Sequence, residues 1–397
     1  MELKVANVIE DGRLAGPQVR IAMVAGQLRR YQIDTTVIYP DFDNTLFKHR
    51  LEAMGVLGIQ LPIHRLTRQK KDLLLYFLCF GYELWLLTRL FRKAGFDIVH
   101  VSGGAWQYKG VIAGKLAGCK VVWHLNDTSM LGIIRMIFRG IAKWWADGLI
   151  VAGSRVRQYY VNELGVGSSK PVIEIQAPVD CSHFDPQSVV PDKRIFEIEG
   201  LKIISVGNVN PLKGLEYFLS MAALLNQEHK GELHFFIVGP HWSSQRAYLK
   251  KLEYIKAEKN LRNVSFYGSS SDVRRIHKAA DIYVCSSLAE ASPLSVWEAM
   301  AMEKAIVATD VGDISRFITH GENGYIVAVA DPAALAYYVG KLVQDPDLRK
   351  RFGKKARLAA LMNLDISNVA RKHVEAYRWV AEGRGLKNRV RRTAGGY

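Results

Sequence analysis

The chain has 397 residues, 49% of them apolar and 10% aromatic, which is material for two domains with separate cores and excludes a disordered chain. Lys and Arg outnumber Asp and Glu 54 to 38, a net charge of +16, so an anionic partner is expected. An acidic membrane surface or a polyanionic glycan would use that charge more fully than one diphosphate, and nucleic acid is not expected, because no familiar DNA- or RNA-binding motif is present.

In chain order, short β-branched runs alternate with longer helical patterns. Strands are expected at 3–9, 35–39, 97–101, 120–125, 148–152 and 171–175, then at 202–206, 234–238, 264–267, 281–285, 305–309 and 325–329. That alternation is the signature of an α/β chain with two consecutive doubly wound, Rossmann-like units whose parallel sheets are covered on both faces. The first strand begins almost at the N-terminus with no charged leader before it, so export by a signal peptide is not expected. The apolar run 73–91 is interrupted by Gly81, Glu83 and Arg89 and falls short of an uninterrupted membrane span. It reads as a core-facing helix, with the basic connector 65–71 and Arg135, Arg139 and Lys143 at a margin where lipid headgroups would lie. An amphipathic helix resting on anionic lipid is the alternative.

The proline-bearing stretch 177–191 reads as a linker. The expected domains are 1–190 and 191–365, followed by 366–397, a helical pattern over 366–380 and a basic tail. The tail at 383–392 reads as a solvated end, with membrane contact as the sharper alternative. Cys79, Cys119, Cys181 and Cys285 are widely spaced and form no C-x-x-C pattern, as expected of buried thiols in a reducing compartment. The expected location is cytoplasmic, peripheral on the inner face of the membrane.

Four segments carry candidate chemistry. Glu290-Ala-Ser-Pro-Leu-Ser-Val-Trp-Glu298 sets two carboxylates on either side of a strand-to-helix junction, with Pro293 expected at the first helical position and Ser292 as the cap. The free N–H groups and positive dipole end of that helix form an anion site flanked by two acceptors for hydroxyls, which suits a nucleotide diphosphate sugar. Taken alone, Ser295-x-x-Glu298 would be a capping box and Glu290 a solvated acid. Val206-Gly-Asn-Val-Asn-Pro-Leu-Lys-Gly214 follows a strand and enters a helix. Val121-Val-Trp-His-Leu-Asn-Asp127 places His124 near the end of a buried strand, where a lone histidine is more often a satisfied core residue. Asp11-Gly-Arg-Leu-Ala-Gly-Pro17 joins the first strand to the first helix and is not G-x-G-x-x-G, which disfavours a dinucleotide dehydrogenase. Asp41-Phe-Asp43 reads as a solvated turn rather than a metal motif.

After Glu298, the chain continues through Ala299 to Lys304, a buried strand, Val311-Gly-Asp313 and Gly321-Glu-Asn-Gly324. In that order these segments closely resemble the retaining glycosyltransferases of family 4, over most of residues 200–330 and more weakly toward both ends. The resemblance implies the GT-B architecture, two doubly wound domains facing across a cleft. It implies that Glu290 faces the transferred sugar, that Glu298 binds the ribose hydroxyls, and that backbone amides around Ser292, Leu294 and Ser295 serve phosphate and sugar. Lys213 matches the family's diphosphate-binding lysine, but Asn208 stands where an arginine is usual. By the same resemblance His124 faces the donor sugar, with Asp127 orienting it or binding acceptor, while Gly16 matches the second glycine of a Gly-Gly loop and Ala15 replaces the first.

The reaction so implied moves a sugar from a nucleotide diphosphate donor to a saccharide or lipid-linked acceptor in cell-surface polysaccharide or glycolipid synthesis. The nucleotide sugar is a co-substrate, and neither a further cofactor nor a metal is expected. Asn208 and Ala15 support one competing class, a binding protein that has lost catalysis. A nucleotide-sugar epimerase is the other.

Overall fold

A computed structural model describes residues 2–67, 70–128, 132–167, 170–229, 233–241 and 245–382. The expected basic tail at 383–392 lies outside them. The chain divides into two compact units, Met1–Pro178 with Ile366–Tyr397, and Val179–Asp365.

The first unit contains β1 (Leu3–Val8), α1 (Gly16–Leu28), β2 (Ile33–Pro40), α2 (Thr45–Ala53), β3 (Leu57–Leu61), α3 (Lys70–Ala94), β4 (Ile98–Val101) and α4 (Tyr108–Leu116). It continues with β5 (Lys120–Leu125), α5 (Gly132–Trp145), β6 (Gly148–Val151), α6 (Ser154–Arg157) and β7 (Val172–Glu174). The sheet order is β3-β2-β1-β4-β5-β6-β7, with every pairing parallel. Chain direction across the sheet reverses between β1 and β4, and this is the position where open α/β sheets leave a crevice at the strand carboxyl ends.

The second unit contains α7 (Lys193–Phe196), β8 (Leu201–Val206), α8 (Leu215–Glu228), β9 (Leu233–Val238), α9 (Arg246–Glu258), β10 (Val264–Gly268), α10 (Val273–Ala279) and β11 (Ile282–Cys285). After these come α11 (Leu294–Ala301), β12 (Ala305–Thr309), α12 (Ile314–Phe317), β13 (Tyr325–Val327), α13 (Pro332–Gln344) and α14 (Pro346–Asn363). Its parallel order is β10-β9-β8-β11-β12-β13, so the reversal falls between β8 and β11, where Ile203 pairs with Ile282 and Ile204 with Tyr283. One core lies on each face of this sheet. Phe218, Leu252 and Val339 fill one, and Trp297, Ile276 and Ala356 the other. The last helix, α15 (Ile366–Glu382), belongs to the first unit, where Tyr377, Val369 and Val374 pack against Val5, Ile98 and Val122.

Two expectations need correction. β3 was not anticipated: Leu57-Gly-Ile-Gln-Leu61 lies at the sheet edge with one partner and lacks the continuous β-branched run of a doubly covered strand. The unit boundary falls at Pro178/Val179 rather than near 190. The proline-bearing segment is held by its second-unit neighbours: Val179 N–H donates to Leu364 O at 2.9 Å, Cys181 N–H to Asp365 Oδ2 at 3.2 Å, and Arg357 Nη1 to Phe184 O at 2.8 Å.

Candidate functional site

The β8 and β11 loops meet at the second unit's reversal point. After β8 the chain makes a short turn at Pro211–Lys213, capped by Asn210, whose Oδ1 accepts from Leu212 N–H at 2.9 Å. Leu288 N–H donates to Leu212 O at 2.7 Å and the Ser286 hydroxyl to Lys213 O at 3.0 Å, so the two loops are cross-linked through backbone. Gly214 closes the turn at φ 56°, and a Cβ there would come within 2.2 Å of Ser286 O. Only glycine fits both the left-handed backbone and that approach. On the other side Gly312, at φ 57°, lets its turn run against the backbone of Glu290 and Ala291.

This scaffold brings Lys213 and Glu290 together across 77 residues of sequence: Lys213 Nζ donates to Glu290 Oε1 at 2.6 Å, and the Ser287 hydroxyl donates to the same oxygen at 2.9 Å. Burial would pull the Lys213 ammonium down, but the Glu290 carboxylate outweighs it and the pKa is raised, with Glu298 adding to the effect. Lys213 is therefore a fixed cation. Burial, with Glu290 next, pushes the Cys285 thiol up, so it stays protonated and is a poor nucleophile.

The expected helix start shifts by one residue. Pro293 is the N-cap and α11 begins at Leu294, so Leu294 and Ser295 present N–H groups that have no intrahelical acceptor. Ser292 is not the cap. Its Oγ accepts from Trp297 Nε1 at 3.2 Å, and the Ser295 hydroxyl accepts from Tyr283 OH at 2.8 Å. Asn208 is held by Asn210 Nδ2, which donates to its Oδ1 at 2.8 Å. Thus Asn208, Lys213, Glu290, Ser292, Leu294, Ser295 and Glu298 all sit on two adjacent loops and the helix that follows the second. The arrangement joins a cation and free amides, suited to phosphate, with carboxylates suited to hydroxyls.

At the first unit's reversal point, Gly16 opens α1 and is exposed, with Ala15 as N-cap. Asp127 follows β5 and accepts from Tyr160 OH at 3.2 Å. Asp41 and Asp43 lie in an exposed turn after β2.

His124 does not fit the role implied for it. It is fully buried, and its Nε2 contacts Arg20 Nη1 at 2.5 Å while its Nδ1 contacts His100 Nε2 at 3.3 Å. Arginine can only donate, which makes Nε2 the acceptor and Nδ1 the donor. His100 in turn reaches Tyr377 OH at 2.6 Å. Burial first, then the Arg20 charge, holds His124 well below its ordinary pKa. Both nitrogens are committed to a buried polar ladder, and none remains for a sugar hydroxyl.

Sequence reasoning missed a second buried cluster. Glu83 Oε1 accepts from His64 Nδ1 at 2.5 Å, and its Oε2 accepts from Lys109 Nζ in a short contact. Lys109 Nζ lies 3.8 Å from Glu10 Oε2 and 4.1 Å from the centre of the Tyr76 ring. The signal was Glu83 itself, since an acid inside an apolar run needs a buried partner. His64, Cys79 and Glu83 also bring ligand-type atoms within 4.8 Å, but Glu83 is already committed to Lys109 and His64.

Among the described residues neither Glu10 carboxylate oxygen has a hydrogen-bond partner. Burial raises its pKa to about 7, against the opposing pull of Lys109. The folded state thus holds a proton that the unfolded state releases near 4.5. This contribution to stability is fully present below pH 4.5 and is lost as pH rises through about 7. Its size is at most about 3 kcal/mol. Glu10→Gln is expected to leave denaturant stability unchanged at pH 4 and to raise it relative to the parent at pH 8. An equal offset at both values would contradict the assignment.

Residues 192–359 match the family described as Glycosyl transferases group 1, and residues 14–183 the family described as Glycosyltransferase Family 4. EpsD of Bacillus subtilis is 29% identical over 188 residues, 46% of this chain and 48% of EpsD. The chain spans about half the length of several curated relatives that it matches. A longer match is to the N,N'-diacetylbacillosaminyl-diphospho-undecaprenol alpha-1,3-N-acetylgalactosaminyltransferase of Campylobacter jejuni, 22% identical over 341 residues, 81% of this chain and 86% of that enzyme. The crystal structure of Anabaena Alr3699/HepE in complex with UDP shares the fold, with a TM-score of 0.78, 17% identity, and coverage of 94% of this chain and 99% of that one.

Proposed function

We propose that this chain, which belongs to the family 4 glycosyltransferases and has their GT-B fold, transfers a sugar from a nucleotide diphosphate donor to a saccharide or lipid-linked acceptor with retention of anomeric configuration. The observation that carries this reading is the Lys213–Glu290 pair at the β8/β11 reversal point, beside the free amides of Leu294 and Ser295. Charge grows on the diphosphate as the C1–O bond breaks, and a preorganised cation with aligned N–H groups stabilises it without reorganisation. These groups supply the positive charge that a divalent ion would otherwise bring, so the reaction is metal-independent.

In a retaining transfer the acceptor oxygen bonds to C1 on the face that the diphosphate leaves, and the acceptor proton passes to the departing phosphate oxygen. Glu290 holds hydroxyls of the transferred sugar, and Glu298 holds those of the ribose. The UDP bound by the HepE structure supports a nucleoside diphosphate as leaving group. The diphospho-undecaprenol in the name of the Campylobacter relative supports a lipid-linked acceptor, and we propose that the transfer serves polysaccharide or glycolipid synthesis at the cytoplasmic face of a membrane.

Metal-free calorimetry with UDP, GDP and ADP, followed by incubation with the sugar conjugate of the one that binds, tests this reading. Selective binding of one nucleotide with slow sugar release is the expected result, and no binding by any of them would sink it. The observation favouring a second reading is Asn208, a neutral amide tied to Asn210 where the family carries a second cation. Tight binding without any sugar release would move the chain to a nucleotide-sugar-binding protein.

A further inference from the structure

By the right-handedness of parallel crossovers, α3, α4 and α5 lie on one face of the first unit's sheet and α1 and α2 on the other. Within that layer α4 packs against both α3 and α5. The inner side of α3 is fixed by buried Tyr76, Leu87 and Phe91 and by the Glu83–Lys109 ion pair. Its outer side is apolar and open, with Phe77 66%, Leu78 72% and Trp85 52% exposed. α5 does the same, with Met136 75% and Trp144 73% exposed. Solvent-facing apolar stripes on two helices of one layer exceed the scattered exposure of an ordinary soluble surface.

We propose that this α3/α5 face docks on an anionic lipid bilayer, lying in the interface rather than crossing it. Charge selects the occupant. α3 carries Lys70, Lys71, Arg89, Arg92 and Lys93, and α5 carries Arg135, Arg139 and Lys143, against Asp72 and the already paired Glu83. Two of the exposed tryptophans sit beside cations, Trp85 with Arg89 at 5.2 Å and Trp144 with Lys143 at 5.5 Å. That combination of an amphipathic ring and a long basic side chain suits the headgroup level.

A span is disfavoured although α3 is long and apolar enough for one, because crossing would carry Glu83 into hydrocarbon and strip it from Lys109. A second copy of the chain is disfavoured as well, since a two-fold contact would set this cationic face against itself. The proposal deepens the reading of a lipid-linked acceptor, which would bring the acceptor to the same surface.

Vesicle flotation of the full chain tests it, with nucleotide binding followed separately so that failure of one reading is distinguishable from failure of the other. Binding to phosphatidylglycerol-containing vesicles is expected, with little to phosphatidylcholine alone and with weakening in high salt. Arg135→Gln, Arg139→Gln and Lys143→Gln together should weaken binding by about 100-fold. Phe77→Ser, Leu78→Ser and Trp85→Ser should weaken it at least about tenfold even at low salt. Five of the six side chains are exposed and Arg135 is half-buried over the Tyr159 ring at 5.2 Å, so each variant is melted beside the parent to separate lost binding from lost fold. Failure to bind anionic vesicles would overturn the proposal. So would equal binding to neutral ones, or a concentration-dependent dimer abolished by the α3 variant.

Discussion

Lys213→Ala is expected to lower sugar transfer by two to three orders of magnitude, roughly the effect of removing one preorganised group that meets developing charge. The same variant should weaken nucleoside diphosphate binding, because in the proposed reaction the ammonium meets the phosphates in the ground state as well. Glu290→Ala is expected to abolish transfer at least as completely while keeping nucleotide binding, since in the proposed reaction the carboxylate meets the sugar and not the phosphates. The contrast makes the pair informative: each residue is the other's partner at 2.6 Å, so a merely structural ion pair would give two variants with the same phenotype. Transfer and calorimetry on both proteins decide it. Parallel losses of binding and rate in the two would refute the division of roles.

Gly214→Ala carries the second large effect. Its φ of 56° disfavours any side chain, and a Cβ would stand 2.2 Å from Ser286 O, a backbone atom that cannot swing aside. The β8 and β11 loops must part, breaking the Ser286 hydroxyl bond to Lys213 O and the Leu288 bond to Leu212 O. A loss of about 3 kcal/mol in stability is expected, from backbone strain plus a displaced hydrogen-bonded loop. Nucleotide affinity should fall at least tenfold, because Lys213 moves with its loop. A variant with parental stability in denaturant melts, or with unchanged affinity for the nucleotide that the parent binds, would show that the cross-link does not position the site.

The fold was legible where burial on both sheet faces forces a continuous apolar run, as in Ile282 to Cys285 or Ala305 to Ala308. Edge strand β3 escaped because one partner leaves it free to carry Gly58 and Gln60. The boundary, which falls inside 177–191, was placed too late for a related reason: proline content speaks of backbone conformation and is silent on Cys181 and Phe184 packing beside Tyr283 and Trp297. At the site, the carboxylate pair and Lys213 were visible as motifs, but their contact was not, because it depends on Gly214 and Gly312 bringing distant backbone together. His124 was read correctly near the end of a buried strand, but its surroundings were not legible, because they are built by Arg20 and His100, 104 and 24 residues away. Glu10 was passed over because its significance lies in Lys109 and Tyr76, which no local pattern links to it.

The placement of α15 sets an order on synthesis. Domains generally fold as units while the chain emerges, N-terminal parts first. Here the second unit is complete at residue 365, whereas the first, translated ahead of it, still lacks the share of cover that α15 adds beside α1 on one face of its sheet. Until Val369, Val374 and Tyr377 leave the ribosome, Val5, Ile98 and Val122 lack part of their cover, and His100 lacks the Tyr377 hydroxyl. The nascent protein therefore passes through a state with a finished second unit and an unfinished first one, and a helix made after the second unit completes the core of the first.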